Sequence, residues 1–88
     1  MTERRAVIAS RVGLHARPAA AFVQAVRQTG TSITIAKGEG PEVDAASILN
    51  VLTLNAAAGD EVVLRAEGEG ADVALDSLAK LLASDLEH

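Results

Sequence analysis

The sequence has no cysteine, no tryptophan, no tyrosine and a single phenylalanine among its 88 residues. Without cysteine it can form neither a disulfide framework nor a thiolate metal site, and a small domain that needs no cross-links suits a reducing compartment. No stretch approaches the roughly 18 consecutive apolar residues of a membrane-spanning helix, and the N-terminal segment has no signal-peptide core. These absences predict a cytoplasmic protein that does not insert directly into a membrane.

The charge balance argues against a nucleic-acid partner. The chain carries 8 basic and 12 acidic residues, a formal net charge of −4, whereas nucleic-acid binding needs a basic footprint and usually aromatic stacking platforms. Its length suits one folding unit, and no linker or repeat divides it, so we expect a single domain over residues 1–85. Residues 86–88, Leu-Glu-His, resemble the start of a vector-encoded affinity tail.

The spacing of apolar residues predicts the element order β-α-β-β-α-β-α. The predicted elements are strands at 4–9, 31–35, 41–43 and 61–67, and helices at 16–28, 48–54 and 71–82. Strands with one apolar face and helices with one apolar stripe pack most simply in two layers. We therefore expect an α+β fold, with a four-stranded antiparallel sheet, all three helices on one face and the other face in solvent.

A histidine and an arginine stand together at the predicted start of the first helix, in the segment 12–19, VGLHARPA. The N–H groups at a helix start have no partner within the helix and, with the macrodipole, they favour an anion. Arg17 adds a permanent charge and a planar set of donors that suits phosphate oxygens. His15 is therefore a candidate nucleophile for a phosphoryl group, whose oxygens the same charges would then stabilise.

Other interpretations of these residues stay open at this point. A lone histidine near a helix start is often a surface or capping residue, and either His15 or Arg17 could be the N-cap because residues before proline prefer extended geometry. We expect no metal site, since the acidic residues lack ligand spacing around His15. Ser47 is better explained as the N-cap of the second helix than as a catalytic nucleophile. The glycines at 38, 40, 68 and 70 fit turns, because no phosphate-loop pattern is present.

The segment 13–19, GLHARPA, resembles the active-site signature of the HPr family, the histidine-containing phosphocarriers of the sugar phosphotransferase system. The resemblance extends to the chain length, the element order and the segment 46–54, which is similar to the family's regulatory-serine segment. It implies an open-faced β-sandwich that accepts a phosphoryl group from phosphorylated Enzyme I and passes it to a sugar-specific IIA component. It implies no cofactor, and it implies a carrier in a relay rather than a free-standing enzyme.

The resemblance assigns roles to individual residues. His15 would be phosphorylated on Nδ1, and Arg17 would stabilise the phosphate. Ser47 aligns with a serine that a dedicated kinase phosphorylates in some members, although Ala46 stands where those members commonly have lysine. Val12 stands where the family often has a small polar residue, which would alter the rate of transfer rather than the identity of the nucleophile.

A surface for partner docking is also expected near the histidine. Its candidate residues are Leu14, Ala20, Arg27, Ile48, Leu49 and Leu52. From the residues alone, each of the leucines and the isoleucine is better explained as part of the core than as part of a docking patch. The partners expected for this chain, as a monomer, are Enzyme I and IIA domains, and a serine kinase or a transcription regulator is a further candidate.

Two alternative functions remain open from the sequence. The first is an HPr-like regulatory docking module of nitrogen or carbon control, which would act through protein interactions rather than through sugar uptake. The second is a small-ligand-binding domain of the β-α-β-β-α-β kind, which would use turns and strand edges instead of a histidine.

Overall fold

The computed structural model describes residues 2–84, which form seven elements in the predicted order. The strands are β1 (Thr2–Val7), β2 (Ile33–Lys37), β3 (Val43–Asp44) and β4 (Glu61–Ala66), and the helices are α1 (Ala16–Thr29), α2 (Ile48–Thr53) and α3 (Ala71–Ala83). The expected tag remnant at 86–88 lies outside the described residues. Within residues 2–84, no helix combines the length and the apolar character needed to cross a membrane.

The four strands form one antiparallel sheet in the order β1-β4-β2-β3. Ala6 pairs with Val62, and Ile35 pairs with Leu64. Side chains alternate along a strand, so these four lie on the same face of the sheet, and all four are buried. The predicted α+β arrangement of an open-faced sandwich is confirmed.

The core is a single aliphatic cluster that joins this face of the sheet to the helices. The apolar stripe predicted on α1 is buried throughout, and Phe22 lies at its centre with no exposed surface. The stripe of α3 is buried in the same cluster, on residues such as Leu75, Leu78 and Leu82. The small aliphatic side chains let these layers approach closely.

Most strand boundaries differ from the predicted ones by one or two residues, and hydrogen bonds explain two of these differences. Strand β2 begins at Ile33 rather than at residue 31 because Gly30 ends α1 in a left-handed conformation and the Thr31 N–H bonds to the Thr29 hydroxyl. Strand β1 ends at Val7 rather than at Ala9, whose N–H bonds to the Leu82 carbonyl of α3 instead of to a strand. In both cases a tertiary or capping hydrogen bond overrides the local alternation.

The other face of the sheet carries a network of charged side chains. Arg5 contacts Glu61 at 2.8 Å, and Arg65 contacts Glu3 at 2.9 Å and Glu42 at 3.3 Å. These residues come from β1, β4 and the loop between β2 and β3, so the network ties neighbouring parts of the sheet together across its surface. We call it the sheet-face network.

Candidate functional site

His15 lies just after a tight turn and is the N-cap residue of α1. The turn is closed by the Gly13 N–H, which donates to the Ser10 carbonyl at 3.0 Å. Gly13 has a φ of +73°, which glycine adopts at little cost. His15 itself is extended, with φ −124° and ψ 156°. The structure therefore makes His15, and not Arg17, the residue that precedes the helix.

The imidazole of His15 is not used to stabilise the helix. It forms no capping hydrogen bond, and the residue is exposed. Ala16 follows with a φ of +44°, a left-handed conformation that costs an L residue about 1 kcal/mol or more. The chain accepts this strain where it bends into α1, beside the exposed His15.

The start of α1 is electrostatically positive. No acidic residue lies in its first turn, and Arg17 is exposed with no carboxylate partner among residues 2–84. Pro18 is buried in the first turn of the helix. An N–H at this position would have no acceptor within the helix, so the proline costs no hydrogen bond. Val12, Ala16, Arg17 and Pro18 line a depression of about 360 Å³. The helix end and the free guanidinium together favour an anionic group beside His15.

The turn before His15 rests on the loop that follows α2, residues 54–60, which we call the support loop. The Leu14 N–H donates to the Ala56 carbonyl at 2.8 Å. A Cβ added to Gly13 would overlap that same carbonyl oxygen and lie 2.9 Å from the Cα of Ala57. Glycine is therefore required at position 13 both for its φ and for this close approach. Sequence reasoning recognised Gly13 only as part of a motif and missed the support loop.

The support loop is held in turn by Lys37 and Asp60. The Ala57 N–H donates to Asp60 Oδ2 at 2.9 Å, and Lys37 Nζ lies 3.4 Å from the same oxygen. Lys37 Nζ also donates to the Asn55 carbonyl at 3.3 Å. The pKa of Asp60 is lowered, first by the Ala57 N–H and then by Lys37, against an opposing effect of burial. No sequence pattern connects Lys37 to this loop.

Ser47 is the N-cap of α2, as its position before an apolar helical pattern predicted. Its Oγ accepts a hydrogen bond from the Asn50 N–H at 3.3 Å. Just before it, the Ala46 N–H donates to Asp44 Oδ1 at 2.9 Å. The capping function is sufficient to explain a serine at this position.

Five of the six expected docking residues are at least partly exposed, and the sixth is buried. Leu49 is 72% exposed, Ile48 and Leu52 are half-buried, and Ala20 and Arg27 are exposed. Arg27 also links α1 to the start of α2, because its Nε donates to the Ala46 carbonyl at 3.0 Å.

The prediction that Leu14 belongs to the docking surface is wrong. Its side chain is completely buried in the core and offers no surface to a partner. The residue is held inward because its N–H pairs with the support loop while His15, the next residue, turns outward.

The glycine pairs lie at turns, as expected. Gly38 has a φ of +58° and follows β2, whereas Gly68 and Gly70 have φ values of +100° and +81° and connect β4 to α3. In the part of the chain from residue 2 to residue 84, no three His, Cys, Asp or Glu side chains are grouped so that they could hold a metal ion.

Comparisons with known proteins show the family to which the chain is similar. The family model described as "PTS HPr component phosphorylation site" matches residues 2–84. The phosphocarrier protein HPr of Streptomyces coelicolor is 53% identical over 88 residues, which cover 100% of this chain and 95% of that protein. The HPr-like protein Crh of Bacillus subtilis is 34% identical over 86 residues, covering 98% of this chain and 100% of Crh.

Solved structures of similar proteins have the same fold. An HPr from Bacillus anthracis superimposes with a TM-score of 0.86 at 34% identity, covering 92% of this chain and 95% of that one. An HPr from Thermoanaerobacter tengcongensis gives a TM-score of 0.90 at 35% identity, covering 100% and 98%. The resemblance noted in the sequence is thus confirmed over nearly the whole length. The chain belongs to the HPr family, the phosphocarrier proteins of the phosphotransferase system.

Proposed function

We propose that this protein carries its phosphoryl group on His15, taking it from phosphorylated Enzyme I and passing it to a sugar-specific IIA component. One observation carries the assignment of the site. His15 is an exposed N-cap residue that makes no capping hydrogen bond, and Arg17, two residues later, has no carboxylate partner within residues 2–84. The positive end of one helix therefore carries both a nucleophile and an arginine that is available to bind a phosphoryl group.

The chemistry is a displacement at phosphorus. Nδ1 of His15 attacks the phosphoryl group on the donor's histidine, and a new P–N bond forms as the old one breaks. The donor's ring nitrogen keeps the electron pair of the broken bond. Transfer to the acceptor repeats the step with His15 as the leaving group, so the carrier returns to its initial state. Arg17 and the free N–H groups of α1 stabilise the phosphoryl oxygens in both directions.

Partners would dock on the surface beside His15. Leu49, Ile48 and Leu52 supply its apolar part, while Arg27 and Ala20 lie on the exposed side of α1. An exposed apolar patch together with an exposed arginine suits a transient protein complex. We further propose that the carrier domain spans residues 1–85 and acts as a cytoplasmic monomer.

The test is intact mass spectrometry after incubation with Enzyme I and phosphoenolpyruvate. The wild-type protein should gain one phosphoryl group that is acid-labile and stable in base, and His15→Ala should gain none. Subsequent addition of a IIA domain should remove the group from the carrier. An acid-stable phosphate would instead indicate an ester, for which Ser47 is the candidate kinase site.

Two outcomes would reject the proposal. The first is an unmodified wild-type protein in the presence of an active Enzyme I, and the second is equal modification of His15→Ala. Retention of partner binding and of the cellular phenotype by His15→Ala would favour the regulatory docking module.

A further inference from the structure

We infer that Lys37 is a positioning residue for His15, acting through the support loop. The consequence for phosphoryl transfer rests on the proposed function, whereas the positioning itself does not. Lys37 is the last residue of β2 and does not belong to the signature segment. Its ammonium group nevertheless contacts the loop on which the turn before His15 rests.

Lys37 holds the support loop at two points. Its Nζ donates to the Asn55 carbonyl at 3.3 Å and lies 3.4 Å from Asp60 Oδ2. Asn55 has a φ of +51°, a left-handed conformation that asparagine adopts more readily than most other residues but that is less populated than helical or extended backbone. The hydrogen bond from the Lys37 ammonium to the Asn55 carbonyl favours this conformation over the alternatives. Asp60 Oδ2 meanwhile accepts from the Ala57 N–H at 2.9 Å, so the ammonium links both ends of the loop.

The loop transmits its position directly to the turn before His15. Ala56, which follows Asn55, accepts the hydrogen bond from the Leu14 N–H at 2.8 Å. Gly13 packs so closely on Ala56 and Ala57 that no Cβ would fit between them. The far end of the loop is held by the backbone, since the Ile8 N–H donates to the Asp60 carbonyl at 2.9 Å. At the near end the Asn55 N–H donates to the Leu52 carbonyl at 3.2 Å, and Lys37 adds the side-chain contact that joins this end to Asp60.

A displacement of Asn55 and Ala56 would therefore move Leu14 and, one residue later, His15. Group transfer is sensitive to such shifts, because the attacking nitrogen must approach the phosphorus in line. The Lys37 side chain is 44% exposed, so its removal should leave the fold intact. Its loss should alter the geometry of the site more than it alters the stability of the protein.

The experiment compares Lys37→Met with Lys80→Met. These are the two lysines of the chain, so both variants lose one positive charge and keep a long side chain. Lys80 lies exposed on α3. The readouts are the NMR signals of the Leu14 amide and the His15 ring, the lifetime of the phosphohistidine without a partner, and the kcat and KM of transfer from Enzyme I.

For Lys37→Met we expect shifted Leu14 and His15 signals, a changed phosphohistidine lifetime and a kcat reduced by roughly threefold to tenfold at constant KM. Lys80→Met should match the wild type in every readout. Lys37→Arg, which keeps a cation and donors, should recover most of the rate.

Signals and rates for Lys37→Met that equal those of Lys80→Met would overturn the inference. A raised KM with unmoved His15 signals would also overturn it, because Lys37 would then contact Enzyme I directly. If the wild-type protein takes up no phosphoryl group, the proposed function fails on its own. The NMR signals of the two variants would still decide whether Lys37 positions His15.

Discussion

On the open face of the sheet, Arg5 and Arg65 contact glutamates on neighbouring strands at 2.8 and 2.9 Å. At the start of α1, by contrast, Arg17 has no carboxylate partner within residues 2–84. The first region pairs its charges with each other, and the second keeps a cation and an imidazole available. An arginine binds an incoming phosphate strongly only when its donors are not already taken.

The two regions also differ in what supports them. The sheet face is held by long side chains that are partly exposed, and such ion pairs contribute little to stability individually. The turn before His15 is held by the backbone, through the Leu14 hydrogen bond and the close contact of Gly13 with the support loop. Backbone support keeps the functional side chains free.

The largest expected difference between the two regions is in the rate of phosphoryl transfer after an arginine is removed from each. Arg17→Ala should slow phosphoryl transfer by about a hundredfold, because the phosphoryl oxygens lose a charged donor, while the melting temperature changes little. Arg65→Ala should leave the rate unchanged. The measurement is single-turnover transfer from phosphorylated Enzyme I, with thermal unfolding of each variant. Equal slowing in both variants, or a loss of stability in Arg17→Ala that parallels its loss of rate, would contradict the comparison.

The backbone support of the turn can be tested with two glycines. Gly13 and Gly38 both have positive φ values, +73° and +58°, but only an added Cβ at Gly13 would strike another backbone segment. Gly13→Ala should therefore lower the free energy of unfolding by about 2 kcal/mol or more, and Gly38→Ala by about 1 kcal/mol. Urea denaturation measures both. The close packing of the turn would be disproved by equal losses.

The two N-caps should respond differently to truncation. Ser47 Oγ accepts a hydrogen bond from the Asn50 N–H, whereas the His15 side chain forms no capping bond. Ser47→Ala should cost about 1 kcal/mol of unfolding free energy, and His15→Ala should cost less than about 0.5 kcal/mol. A larger loss for His15→Ala in the same urea titration would mean that the histidine stabilises its helix after all.

The smallest expected effect is on the pH dependence of stability, through a glutamate of the sheet-face network. The Thr34 hydroxyl and Arg65 lower the pKa of Glu42 from its ordinary 4.5, against an opposing effect of burial. A carboxylate with a lowered pKa in the folded state stabilises the protein above 4.5, and this contribution is lost as the pH falls through the folded value. Glu42→Gln should therefore flatten the fall in stability between pH 5 and 3.

The matched control is Glu39→Gln, which changes a glutamate in the turn after β2. Chemical denaturation at several pH values should show an unchanged acid slope for this variant. If it flattens the slope as much as Glu42→Gln does, the network contributes nothing specific to the acid response.

Much of the fold was accessible from local patterns. The 3.6-residue period of Ala19, Phe22, Val23 and Val26 predicted α1 and its buried face, and all four side chains are buried. The strand boundaries could not be predicted from local patterns, because the bond from the Ala9 N–H to the Leu82 carbonyl decided where β1 ends and the bond to the Thr29 hydroxyl decided where β2 begins. Alternation along a strand carries no information about such partners.

In the candidate site, too, some features could be predicted from the sequence and others could not. The sequence by itself determined that His15 and Arg17 stand at a helix start, because proline, the apolar stripe and the GLHARPA segment are all local signals. Only the tertiary structure decided that Leu14 is buried, that Arg17 is left unpaired within residues 2–84 while Arg65 is not, and that Lys37 supports the loop beneath Gly13. Those features depend on contacts between residues far apart in the chain, which no periodicity or short motif encodes.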